Sequence, residues 1–291
     1  MITRLAFSHI GPWPPTLVYN RAAARDPLSG MTPTGESVIL DYRGPVAYIR
    51  LDRPERRNAL TYPMLEELLE VCEHVAEDPS ARVVVLTGMG SAFCAGGDVR
   101  HLLEEDPRHL TERERQARLA RLHRISLLLH TMSKPTVAAV NGPAMAAGLS
   151  LALACDLRVM SASATLATAF ARLATPGDFG GTWFALHLLG LGRAKALYLL
   201  NETVTAQQAL DWGLVTSVVP PERFTTAVDE FADRLAAGPA EAFALMKANF
   251  AAALTSPLAE FLDTEAANMT LGMSTKEFEQ AARAFLDGHS C

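Results

Sequence analysis

Two runs of small residues, each directly after an apolar β-rich run, are the places where this sequence could do chemistry. Ser91-Ala92-Phe93-Cys94-Ala95-Gly96-Gly97-Asp98 follows Arg82-Val83-Val84-Val85-Leu86-Thr87, and Asn141-Gly142-Pro143-Ala144-Met145-Ala146-Ala147-Gly148 follows Thr136-Val137-Ala138-Ala139-Val140. Small side chains let backbone approach a ligand and turn N–H groups outward. Where the second run opens a helix, its first N–H groups lack acceptors and the positive dipole end adds to them, which suits an oxygen gaining negative charge. Two such junctions converging on one oxygen would stabilise an oxyanion. A Gly-Gly turn between strand and helix also arises for structural reasons alone, so neither run decides the matter by itself.

The elements that must position these runs follow from periodicity. Val46 to Leu51, Arg82 to Thr87 and Thr136 to Val140 read as strands, the second of them buried. Pro63 to Ala76 reads as a helix with proline in its first turn, and a single longer helix is expected from about Thr111 to Met132. Strands alternating with helices imply an α/β core with crossover connections. Beyond Gly190 the pattern is almost continuous helix: Arg193 to Leu200, Ala206 to Trp212, Arg223 to Leu235, Ala240 to Leu254, Leu258 to Met269 and Thr275 to Leu286. Its several apolar faces suit either the chain's own core or an oligomer interface. Residues 1–36, with Gly11-Pro12-Trp13-Pro14-Pro15 and Ser29-Gly30-Met31-Thr32-Pro33, read as an extended arm, either mobile or packed on a neighbour through Trp13. The domain reading is therefore an arm at 1–36, an α/β core at 37–190 and a helical region at 191–291.

Whole-chain properties exclude some classes. With 291 residues the chain can bury a sizeable core, and 49% hydrophobic against 20% charged residues is a globular balance. A net charge of −6, from 26 basic and 32 acidic residues, offers no reason to expect nucleic acid as partner. Cys72, Cys94, Cys155 and Cys291 have neither metal-ligand spacing nor a disulfide framework, so no metal is expected. No apolar run is long enough for a membrane span and no secretory leader is evident, which predicts a cytoplasmic address without membrane contact.

In order and at the spacing seen here, "RPERRNAL" (53–60), "SAFCAGGD" (91–98), "VNGPAMAAG" (140–148), "ACDLRV" (154–159) and "DFGGTW" (178–183) resemble the crotonase (enoyl-CoA hydratase/isomerase) superfamily. The likeness runs from about Val38 to the C-terminus. It implies a core of stacked ββα turns, a C-terminal helical region that builds a homotrimer or a dimer of trimers, and an acyl-CoA thioester as ligand. No cofactor is implied beyond the coenzyme A of the substrate. Carried over by position, the oxyanion donors are the N–H groups of Gly97 and Ala147. The coenzyme A contacts are Arg56, Arg57, Ala59, Cys94, Ala95 and Arg100, with the three arginines as phosphate partners. A solvated basic turn is the plainer reading of any one of these arginines.

Hydratases of the family place two glutamates where this sequence has Ser150 and Phe170. Neither residue is a carboxylate base, which puts two-glutamate hydration in doubt. Asp178 stands where related isomerases carry an aspartate, and "AFARL", "DFGGTW", "LGRAKAL" and "AQQALDWGLV" follow the layout of the ring-opening epoxyphenylacetyl-CoA isomerases, alongside the dienoyl-CoA isomerases. Phe170, Leu173 and Phe179 are expected to wall Asp178 and raise its pKa, so that it moves a proton along the acyl chain held as a dienolate. The alternatives are an aspartate that merely caps the next helix, a nucleophile as in the family's aryl-CoA dehalogenases, hydratase-like chemistry, and a non-catalytic acyl-CoA-binding trimer. No histidine can be placed beside Asp178 from the sequence to serve the dehalogenase route. His101 is an alternative base. Gly177, where proline is usual, predicts a looser turn, and Ala146-Ala147 in place of glycines a narrower pocket. Acyl-pocket shape is expected to depend on the Arg100–Arg118 loop and on Trp183.

Overall fold

The computed structural model describes residues 36–104 and 110–288. The expected arm lies outside them except for its last residue, as do Cys291 and residues 105–109 of the loop. The strands are β1 (Val38–Arg43), β2 (Val46–Leu51), β3 (Val83–Gly88), β4 (Thr136–Val140), β5 (Ala144–Met145), β6 (Leu157–Ser161), β7 (Thr165–Ala167), β8 (Val204–Thr205) and β9 (Ser217–Val219). Six form one sheet in the order β1-β2-β3-β4-β6-β9, antiparallel only at the β1–β2 hairpin. Three short strands form a second sheet in the order β5-β7-β8. Val83, Val84, Val85 and Leu86 are all fully buried, because helices cover both faces of the sheet.

On one face pack α1 (Tyr62–Glu77), α4 (Arg124–Thr131) and α5 (Ala147–Ala154), through Met64, Leu68, Leu69, Ile125, Leu129 and Leu151. Each such fully buried leucine contributes about 2 kcal/mol. Thr61 caps α1 by accepting the Met64 N–H, and Pro63 occupies the first turn as expected. The other face is closed by Val228, Ala232 and Ala236 of α8 (Phe224–Ala236) against Val46, Val85 and Val137.

The single helix expected at 111–132 is corrected. It is α3 (Glu112–Leu122) followed by α4, parted at His123. Parting them lets α4 bury Ile125, Ser126 and Leu129 while the charged α3 buries only Leu122. The short α2 (Val99–Glu104) follows the first small-residue run. The helix expected at 193–200 is the second half of α6 (Gly181–Leu200), which is interrupted at Gly190 (φ 72°, ψ 164°). Then come α7 (Ala206–Asp211), α8, α9 (Ala240–Ala253), α10 (Leu258–Met273) and α11 (Lys276–Leu286), close to the expected bounds. None of α9, α10 and α11 contains a fully buried residue, and Met246, Phe250, Leu258, Leu262, Met269 and Phe285 are exposed. Among the described residues no helix is long and apolar enough to cross a membrane.

Candidate active site

The first junction is built by pairing with the turn at 58–60. Leu60 N–H donates to the Gly96 carbonyl and its own carbonyl accepts the Asp98 N–H, both at 2.8 Å, which makes Gly97 its bridge partner. In that parallel pattern the N–H of the bridged residue faces the opposite way, so Gly97 N–H leaves the turn outward. Ala147, the first residue of α5, has an N–H with no intrahelical acceptor. The described residues give neither N–H a hydrogen-bond acceptor. A methyl placed on Gly96 would lie 3.6 Å from Ala147 N, so the two junctions lie side by side.

They are held in contact by backbone. Cys94 N–H donates to the Pro143 carbonyl at 3.2 Å and Met145 N–H to the Cys94 carbonyl at 2.9 Å. Gly148, the second residue of α5, lies against Cys94: a Cβ there would fall 2.5 Å from its carbonyl oxygen and 2.8 Å from its Sγ. Gly148→Ala is therefore expected to push α5 off the first junction, costing about 1–3 kcal/mol of stability. Chemical denaturation checks the first effect, and a parallel fall in turnover on any acyl-CoA that the protein processes checks the second.

Sequence reading passed over Asn58, which fastens the first junction. It is fully buried; its Oδ1 accepts Arg53 N–H at 2.9 Å and its Nδ2 donates to the carbonyls of Met89, Ala92 and Phe93. Arg53 is a second such residue, donating to the Ala59 carbonyl and pairing with Asp98 at 3.2 Å. Burial pushes the Asp98 carboxyl up, but the His101 N–H and the Arg53 guanidinium outweigh it and hold it below the usual carboxylate range. Both residues lie inside the quoted "RPERRNAL" motif. What marks them is a buried amide and a paired charge, which only the fold creates.

Asp178 sits in a turn of unusual backbone. Gly177, Phe179 and Gly180 have φ of +122°, +48° and +74°. The freedom of Gly177 is spent on this conformation, not on a loose turn: a Cβ there would also press on Thr182 Oγ1 at 3.3 Å. The turn is tied down on both sides of Phe179, whose N–H donates to His123 Nε2 at 3.2 Å and whose carbonyl accepts the Ser126 hydroxyl at 2.8 Å. Asp178 does not cap α6, whose N-cap is Gly180 without a side-chain bond. Its Oδ1 is buried with no hydrogen-bond partner among the described residues, and burial pushes the carboxyl pKa up to about 6. Phe170 and Phe179 are buried, but Leu173 is 51% exposed, so the expected wall loses that member. The thiol of Cys94, under the first junction, is pushed up to about 12 chiefly by burial, and the Asp178 charge adds to it. Gly181, three residues on, packs against Ser150 of α5, so the Asp178 turn lies beside the helix that Ala147 opens.

Ser150 is 1% exposed and its hydroxyl donates to the Ala146 carbonyl at 3.3 Å. Phe170 stacks on Tyr198, with centroids 6.1 Å apart and planes at 10°. A Cβ on Gly181 would meet both Ser150 Oγ (2.2 Å) and Tyr198 Oη (2.6 Å), so Ser150 and the Tyr198 stacked on Phe170 close in on the start of α6.

Arg56, Arg100, Arg53, Thr61, Asp98 and His101 line a cleft of about 320 Å³. Arg57 is exposed on the same turn but is not part of its wall. Ala95 donates its N–H to the Arg57 carbonyl, which leaves Ala59 and Ala95 as spacers within the turn. Cys94 is fully buried, both its backbone groups are paired and its thiol donates to the Asn58 carbonyl. His101 Nε2 accepts the Tyr62 N–H at the start of α1, which directs it away from the part of a base. Trp183 lines a cleft of about 390 Å³ with His130, His187 and Lys247, whose walls do not include Asp178.

A six-stranded sheet with small-residue junctions at the ends of two neighbouring strands defines an α/β protein of the crotonase type. The sequence model of the family "Enoyl-CoA hydratase/isomerase" matches residues 41–290, and the chain belongs to that family. It is 32% identical over 241 residues to the 1,2-epoxyphenylacetyl-CoA isomerase of Escherichia coli K12, covering 83% of this chain and 92% of the relative. It is 32% identical over 251 residues to 4-chlorobenzoyl coenzyme A dehalogenase-2 of Arthrobacter sp, covering 85% and 90%. Its fold matches the crystal structure of an enoyl-CoA hydratase from Polaromonas sp. JS666 with a TM-score of 0.81 at 29% identity, over 86% of this chain and 97% of that one.

Proposed function

We propose that the protein isomerises an enoyl- or dienoyl-CoA thioester, with Asp178 as the group that carries the proton. The observation that carries this reading is the buried, unpartnered Oδ1 of Asp178 in a carboxyl whose pKa is pushed up to about 6. A carboxyl with that affinity both takes and returns a proton near neutral pH. In the proposed cycle the carboxylate removes a proton from the acyl chain, and the C–H electron pair moves toward the thioester carbonyl. The resulting enolate oxygen accepts hydrogen bonds from Gly97 and Ala147 N–H. Asp178 then returns the proton to a different carbon, which shifts the double bond and restores the carboxylate. Nothing is consumed, and no group beyond the coenzyme A of the substrate takes part. Arg56 and Arg100 fit the coenzyme A phosphates at the mouth of the cleft, and the exposed apolar faces of α9 to α11 fit assembly into a trimer.

A second reading has one observation in its favour. His123, which the sequence could not place, lies against the Asp178 turn, as a dehalogenase-like route through an ester at Asp178 would require. Its Nε2 is occupied by the Phe179 N–H, however, and a base for water would need that lone pair. The deciding experiment incubates the protein with enoyl- and dienoyl-CoA isomers and halogenated aryl-CoA in deuterium oxide. Isomerisation predicts deuterium at the acyl chain and a moved double bond with no gain of water. Halide release with a trapped ester at Asp178 would replace this reading with the second. Tight binding without exchange on any thioester would leave a binding protein.

A further inference from the structure

His123 and Ser126 are used by nothing in the proposed cycle, yet both spend polar groups on one residue, Phe179. Ser126 is 4% exposed and its hydroxyl donates to the Phe179 carbonyl; His123, half-buried at the joint between α3 and α4, accepts the Phe179 N–H on Nε2. The rings of His123 and Phe179 also meet edge-on, with centroids 4.9 Å apart. Phe179 holds a φ of +48°, which a bulky residue adopts only when its surroundings impose it. Within the turn itself the Asp178 carbonyl accepts the Gly181 N–H at 3.0 Å, a bond that spans Phe179. The two ties to Phe179 therefore hold the turn from outside it.

The geometry points to His123 as a positioning residue for Asp178: with Ser126 it holds the strained Phe179 peptide and so fixes where the carboxylate stands. The acceptor role requires neutral His123 with its proton on Nδ1, and burial holds the imidazole below its ordinary range. The break between α3 and α4 falls at the one residue whose ring reaches this peptide, which gives the break a purpose that packing of α4 does not by itself supply.

The inference rests on the proposed proton-carrying role of Asp178 for its kinetic consequence alone, so the test has an arm that does not depend on that role. In the full-length protein, His123→Leu removes the acceptor and His123→Gln keeps one in Oε1. His123→Leu is expected to lower kcat by about 10²-fold with KM within about threefold, since misplacing a reacting group by about 1 Å has that effect. His123→Gln is expected to recover most of that loss. Independently of turnover, titration of the Asp178 carboxyl by carbon-13 NMR is expected to move from about 6 toward the ordinary carboxylate range in His123→Leu and to stay near about 6 in His123→Gln. An unchanged kcat or an unchanged Asp178 titration in a folded His123→Leu protein overturns the inference. So does equal damage in both variants with a wild-type titration, which would assign His123 to the chemistry itself. Should His123→Leu fail to fold, Ser126→Ala carries the test, with about a tenfold loss in kcat expected from one severed tie and an unchanged kcat overturning the inference. If Asp178→Asn proves fully active while the His123 variants still move the carboxyl titration, the proton-carrying role fails and the positioning stands.

Discussion

Asp178→Asn is expected to lower kcat by about 10²–10⁴-fold and, at the same time, to stabilise the protein at neutral pH. The amide has nearly the same shape but neither accepts nor returns a proton. The stability effect follows from the same burial that raises the carboxyl from 3.8 to about 6. A carboxyl with a raised folded-state pKa binds its proton more tightly when folded. Its burden is therefore absent below the unfolded pKa, grows as pH rises from 3.8 through about 6, and stays constant above. The difference in proton affinity corresponds to about 3 kcal/mol. Denaturation of the wild type should accordingly weaken across that window, and the asparagine variant should lack the decline. In the wild type, kcat/KM should rise with pH through about 6 as the base ionises, then level off. A variant that loses activity without gaining stability would separate the catalytic role from the burial argument.

The second large effect concerns the proposed oxyanion donors. Backbone donors resist ordinary mutagenesis, but Ala147 is the first residue of α5, the helical position at which proline is tolerated because its N–H lies outside the ladder. Ala147→Pro deletes one donor while leaving the helix its hydrogen bonds. The loss expected is about 10²–10³-fold in kcat, the usual consequence of removing one such donor. Affinity for free coenzyme A should remain near that of the wild type, since Arg56 and Arg100 line a cleft whose walls do not include Ala147. Equal losses in kcat and in coenzyme A binding would show that the substitution had disturbed the junction as a whole. Gly97 offers no such clean deletion, because the pairing of Leu60 with Gly96 and Asp98 runs through it.

Much of the site was legible in the one-dimensional pattern. The runs at 91–98 and 140–148 identify themselves because close backbone contact demands small side chains, and such demands are met residue by residue. The strands at 46–51 and 136–140 were read to the residue, since each is a short, mostly apolar β-rich run. The break at His123 was not legible: α3 and α4 are both helical in pattern, and the joint exists to meet Phe179, 56 residues later. Nor was the direction of Trp183, which turned to His130 and the separate cleft because α6 presents it to that side.

What the sequence by itself determined is the family and the pair of junctions, both of them matters of residue type at a given spacing. What only the tertiary structure decided is the state of the remaining groups. That Asp178 is buried and unpartnered instead of capping α6, that Cys94 is sealed beneath the junction, and that Asn58, His123 and Ser126 carry the loops depends on which distant atoms exclude water and which offer hydrogen bonds. Burial and pairing are properties of neighbours brought together by folding, and a pKa follows those neighbours, not the residue's name.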